Sequence, residues 1–138
     1  QRSPQDFQRT AKQRDEKMGT IELSTNNFDE TIDNNDIVLI DFWASWCGPC
    51  RMFGPVFEGS AEKHPDIAFA KVNTEEQQEL AASFGVRSIP TLAVFRDNIM
   101  LYKQPGALPE AALEELIDKI KELDMDEVRE KIANEESN

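Results

Sequence analysis

The chain reads as an α/β domain built on a central mixed sheet, part parallel and part antiparallel, with helices on both faces. Three features predict this. Strand-like and helix-like segments alternate up to residue 90, which is the pattern of parallel strands joined by crossover helices. Ile37-Val38-Leu39-Ile40-Asp41-Phe42 is nearly continuous in apolar residues, as expected of a strand covered on both faces. Two later runs, Thr91 to Phe95 and Ile99 to Tyr102, are separated only by Arg96-Asp97-Asn98, a gap short enough to require an antiparallel hairpin.

The elements follow in order. Ile21-Glu22-Leu23 is a short edge strand. Ser24 or Thr25 then caps a helix that carries Phe28 and Ile32 on one face. After the apolar strand, a helix opens at Cys47 and places Phe53, Val56 and Phe57 at helical spacing. His64-Pro65-Asp66 ends it, and Ile67 to Val72 is the next strand. Thr74 and Gln77 resemble a capping box, opening a helix with Leu80, Ala81 and Phe84 on its apolar side and Gly85 as its stop. Pro109 opens the last core helix, lined by Leu113, Leu116, Ile117, Ile120 and Leu123. Asp124 and Glu127 resemble a second capping box, and Met125, Val128 and Ile132 recur on one face. A further short helix packed on the domain is expected there.

A chain of 138 residues suits one domain with a moderate core. No apolar run approaches membrane-spanning length, so no membrane partner is expected. The net charge of −12 argues against nucleic acid and anionic membrane. That charge is uneven: +2 over residues 1–18, −7 over 19–109 and −7 over 110–138. Residues 1–18 offer Phe7 and little else to bury, and read as a flexible extension or a remnant ahead of Met18. Residues 19–123 form the domain, and 124–138 an acidic extension with a short helix.

The chemistry is concentrated in Trp46-Cys47-Gly48-Pro49-Cys50, which holds both cysteines of the chain. Two intervening residues let a dithiol and a disulfide interconvert within one helical turn, while closing too short a loop to serve as a structural staple. Cys47 falls at a helix N-terminus, where unpaired N–H groups and the helix dipole stabilise a thiolate. Cys50 falls on the apolar stripe of that helix, three residues before Phe53. Cys47 is therefore expected to be exposed and nucleophilic, and Cys50 shielded and resolving. Gly48 and Pro49 suit the tight entry to the helix, and Trp46 is placed to touch partners. A metal pair is the competing reading, but tetrahedral zinc needs four ligands. The one histidine, His64, lies fourteen residues past Cys50.

The chain resembles the thioredoxin family over about residues 21–123. The resemblance rests on Val38 to Arg51, which includes the cysteine motif, and on Val86-Arg87-Ser88-Ile89-Pro90-Thr91-Leu92. It implies the thioredoxin fold. It implies that Asp41 is buried near the cysteines and moves the proton of Cys50, with Lys71 paired to it. Burial would raise the Asp41 pKa toward the range of a general base. It implies that Pro90 is cis and faces the cysteines, that Ile89 offers backbone groups to an extended substrate, and that Gly106 completes the substrate groove. Pro55 matches a proline that kinks the helix. Pro105 departs from the family, where an apolar residue is usual, and removes one backbone donor at a sheet edge.

The expected function is therefore dithiol–disulfide exchange that reduces protein disulfides through a mixed disulfide, maintaining cell redox homeostasis. By resemblance, electrons come from NADPH through thioredoxin reductase, no cofactor binds the chain, and a cytoplasmic monomer is expected. An oxidant or isomerase is the alternative among enzymes, disfavoured by the Gly-Pro dipeptide between the cysteines. A holdase that uses the groove without redox turnover is the alternative from another class.

Overall fold

The computed structural model describes residues 19–137. The expectation of a flexible extension at 1–18 lies outside the described residues. The elements are β1 (Ile21–Glu22), α1 (Phe28–Asp33), β2 (Ile37–Trp43), α2 (Gly48–Lys63), β3 (Ala68–Asn73), α3 (Gln78–Ser83), β4 (Thr91–Arg96), β5 (Ile99–Pro105), α4 (Glu110–Glu122) and α5 (Met125–Ser137). The strands form one sheet in the order β1-β3-β2-β4-β5. β1 and β2 run parallel to β3, and β4 runs antiparallel to both β2 and β5. The apolar run at 37–42 thus lies in the middle strand.

Alternation along β2 divides the core into two layers. Val38, Ile40 and Phe42 join Ala68, Ala70 and Val72 in a cluster with Ile32 of α1 and Leu80 and Ala81 of α3. Leu39 joins Phe69, Leu92 and Val94 in a second cluster with Phe53 and Phe57 of α2 and Leu113, Ile117 and Ile120 of α4. Asp41 belongs by its position to this second face. A register slip of one residue would exchange the faces, so the packing that fixes Leu39 also fixes where Asp41 points.

The β4–β5 loop is tighter than the three residues expected. Arg96 pairs with Ile99, leaving Asp97 and Asn98 as a two-residue turn, both at positive φ (54° and 68°). This is the twist-matched hairpin turn that Asp and Asn tolerate best among residues with side chains.

Two expected helix caps do not form. Asn27, rather than Ser24 or Thr25, precedes α1, and its Oδ1 accepts from Ser24 N at 2.8 Å instead of capping the helix. Thr74 does not open α3. Its N–H and Oγ1 both donate to Trp43 O, at 2.9 and 3.0 Å, and the helix begins four residues later at Gln78. The third cap forms: Asp124 Oδ1 accepts from Asp126 N and Glu127 N at 3.0 and 3.3 Å. α5 buries Met125 and ties Arg129 to Asp97 at 3.2 Å. Leu123, expected on the apolar face of α4, instead follows the helix with extended backbone and is exposed.

Candidate redox site

β2 delivers the chain to the site and α2 begins in it. Cys47 is the N-cap of α2, in extended conformation, and its Sγ accepts the Cys50 N–H at 3.1 Å. A sulfur thus takes the place of the usual capping oxygen and satisfies one of the orphan donors of the first turn. Gly48 and Pro49 occupy that turn and are exposed. Cys47 and Cys50 are joined in a disulfide.

The expected contrast in exposure is absent. Cys47 and Cys50 are both 4% exposed. Capping turns the Cys47 side chain back over the helix, and its sulfur lies 3.6 Å from the Ile89 carbonyl oxygen. The cysteines differ instead in their surroundings. Cys50 lines a cavity of about 640 Å³ on the α2 side of β1 and β3. Cys47 faces the loop before β4, beside Trp46, which is 66% exposed.

That loop carries Ile89 and Pro90, joined by a cis peptide bond. Ile89 is half-buried and Pro90 buried. Gly106 N donates to Pro90 O at 2.8 Å, so the end of β5 closes over the loop. Gly106 has φ +112°, a conformation that L side chains rarely adopt. Pro105 still pairs in register with Thr91. The sequence segments around 47, 90 and 106 meet at one end of the sheet.

Asp41 is wholly buried, and neither carboxylate oxygen has a hydrogen-bond partner. Burial pushes its pKa up to about 7, the Lys71 charge pulls it down, and the Glu58 charge pushes it further up. Lys71 is its register partner across the β2–β3 ladder. The direct partner of Lys71 is nevertheless Glu58, at 3.0 Å, and its ammonium sits 5.3 Å from the Trp43 ring centroid. Asp41 feels Lys71 through its charge and not through a hydrogen bond.

Glu58 is the site residue that the sequence reading missed. Its signal was present, since Cys50, Gly54 and Glu58 follow at intervals of four on one ridge of α2. A Cβ at Gly54 would lie 3.8 Å from Lys71 Nζ, so the ammonium rests on the helix between the cysteine and the glutamate.

Comparison with known proteins agrees with this geometry. The family model described as Thioredoxin matches residues 19–119. "Putative thioredoxin 2" of Streptomyces coelicolor is 55% identical over 118 residues, covering 86% of this chain and 88% of its own length. "Thioredoxin" of Porphyra purpurea is 40% identical over 104 residues, 74% of this chain and 97% of its own. Among solved structures, a mutant thioredoxin from Halobacterium salinarum superposes with a TM-score of 0.72 at 40% identity, covering 78% of this chain and 95% of that one.

Proposed function

The chain belongs to the thioredoxin family and is a dithiol–disulfide oxidoreductase that reduces protein disulfides, and we propose the following division of work at its site. In the reduced protein, the Cys47 thiolate attacks one sulfur of a partner disulfide. The partner S–S bond breaks, a mixed disulfide forms, and the second partner sulfur leaves as a thiolate. Cys50 then gives its proton to the ionised Asp41 carboxylate. The Cys50 thiolate attacks Cys47, the partner thiol leaves and takes up a proton, and the Cys47–Cys50 disulfide remains. Two electrons pass to the partner.

The observation that carries this reading is the Cys50 N–H aimed at Cys47 Sγ at 3.1 Å. It supports Cys47 as the sulfur whose negative charge the helix start would stabilise in the reduced protein. Asp41 supports the second step, because a carboxyl with a pKa of about 7 can take and release a proton at neutral pH. Lys71 tunes that carboxyl by charge. Trp46, Gly48, Pro49, Ile89, Pro90 and Gly106 surround Cys47 and form the docking surface for an extended substrate segment. Ile89 supplies backbone groups, and Pro105 limits pairing at the adjoining edge. Residues 19–123 are the redox domain, with α5 added to it.

Recharging by thioredoxin reductase with NADPH completes the cycle, and the cytoplasm is the compartment that suits it. Among the described residues, no helix is long and apolar enough to cross a membrane.

Trapping tests the roles. Cys50→Ser should accumulate mixed disulfides through Cys47, seen as dithiothreitol-sensitive adducts by mass spectrometry. Accumulation by Cys47→Ser instead would reverse the assignment. NADPH consumption with a thioredoxin reductase and insulin, abolished in both variants, tests the electron route.

A further inference from the structure

Lys71 stands between two carboxylates and bonds to one of them. It is the register partner of Asp41, so both side chains leave the same face of the sheet toward α2. Its Nζ donates to Glu58 at 3.0 Å and rests over Trp43, while both Asp41 oxygens have no partner. An unpaired carboxyl that is 0% exposed is costly. The lysine that would relieve it is adjacent in the ladder and is held elsewhere.

We infer that Glu58 is a positioning residue for the resolving step: by holding Lys71 against α2 it keeps the ammonium off Asp41, and so leaves that carboxyl able to take and release the Cys50 proton. This rests on the role given to Asp41 above. The physics of the choice is desolvation. The side chains of Lys71 and Glu58 keep 19% and 15% of their exposure, so their pair retains some water, whereas a Lys71–Asp41 pair would be dry on the carboxylate side. A direct ammonium partner would hold Asp41 ionised and unable to act as a base that is recharged with a proton near neutral pH. Gly54 leaves the helix surface open beside the ammonium, which would stand 3.8 Å from a Cβ placed there.

The other charges around the cavity do not replace Glu58. Glu22 of β1 is the register partner of Lys71 on its other side, and Arg51 and Glu76 line the same cavity. None of them is ion-paired with Lys71. α4 also packs on α2, and its carboxylates Glu110 and Glu114 meet Lys63 and His64 at the far end of the helix.

The test is the titration of Asp41 itself, followed by the carboxyl 13C shift in the reduced full chain and assigned by its loss in Asp41→Asn. Glu58→Gln should lower the midpoint by about one pH unit, the smaller end of what an opposite charge nearby produces. Glu58→Asp should restore it toward the parent value. In a Lys71→Met background the same Glu58→Gln change should move the midpoint much less. The acid limb of the mixed-disulfide resolution rate should follow the carboxyl in each variant. A midpoint that stays or rises in Glu58→Gln overturns the inference. So does an equal shift with and without Lys71, since Glu58 would then act by its own charge alone. A resolution profile indifferent to Asp41→Asn removes Asp41 from the mechanism, a separate failure that the carboxyl titration does not share.

Discussion

At Asp41 the burial that costs stability is also what suits the carboxyl to the proton transfer proposed for it. Its folded pKa of about 7 stands above the ordinary 3.8. Between these values the folded chain binds a proton that the unfolded chain has lost, so stability falls as pH rises through that window. Over about three units the loss is on the order of 4 kcal/mol at pH 8. Asp41→Asn should therefore be the more stable protein at pH 8, by denaturant unfolding, with the advantage shrinking toward pH 4. The same variant should slow disulfide turnover most near neutral pH. A stability difference independent of pH would show that Asp41 is already paired in solution. The motifs that meet at this end of the sheet are legible in the sequence, but Glu58 and the pairing of Lys71 with it are not. The family resemblance pairs Lys71 with Asp41, and the ladder does set them side by side. The choice of Glu58 instead depends on which carboxylate keeps its water, and no sequence pattern carries that.

At the scale of the element, one local pattern has opposite outcomes. Thr74 with Gln77 and Asp124 with Glu127 both read as capping boxes. Asp124 caps α5 because it stands free after α4. Thr74 follows β3 directly and is drawn into the sheet by Trp43 O, with Asn73 Oδ1 accepting from Glu75 N in the turn beyond. The tertiary bond wins over the local cap, and strand neighbours are invisible from a four-residue window. The strands themselves are legible because alternation in β2 and the hairpin turn are backbone-periodic signals. The role of Arg96 is not. From the end of β4 its Nη1 donates to Ile120 O and Leu123 O at 2.8 and 2.9 Å, closing the C-terminus of α4. Arg96→Ala should cost roughly 1–3 kcal/mol, since it strips charged donors from helix-end carbonyls. Amide exchange should accelerate at the end of α4 and in α5 before it does so in β2. Met125→Ala should loosen α5 by roughly 2 kcal/mol or more, while leaving turnover near the parent rate because α5 contributes no residue to the redox site.

For the whole molecule the question is which redox state the fold favours. Strongly oxidising dithiol proteins owe their high potential to a stabilised reduced form, with a thiol pKa far below the ordinary value. Here the helix start offers Cys47 one N–H at 3.1 Å. The acidic surroundings oppose a second thiolate: Asp41 faces α2 from the sheet, and Glu58 lines the same cavity as Cys50. The net charge of −12 works in the same direction. The dithiol form therefore gains little, and the couple should be reducing. Thioredoxin is itself the reference point of this scale at about −270 mV, so that value is a benchmark and not a result of this geometry. Equilibration with dithiol buffers at pH 7, read from Trp43 and Trp46 fluorescence, should place the Cys47–Cys50 couple beside it. Each ~30 mV above it is tenfold in the exchange constant, and a couple several such steps higher would make the protein an oxidant or isomerase. Glu58→Gln tests the electrostatic part of the argument. Removing that charge should raise the potential slightly, because a thiolate at Cys50 then becomes less unfavourable.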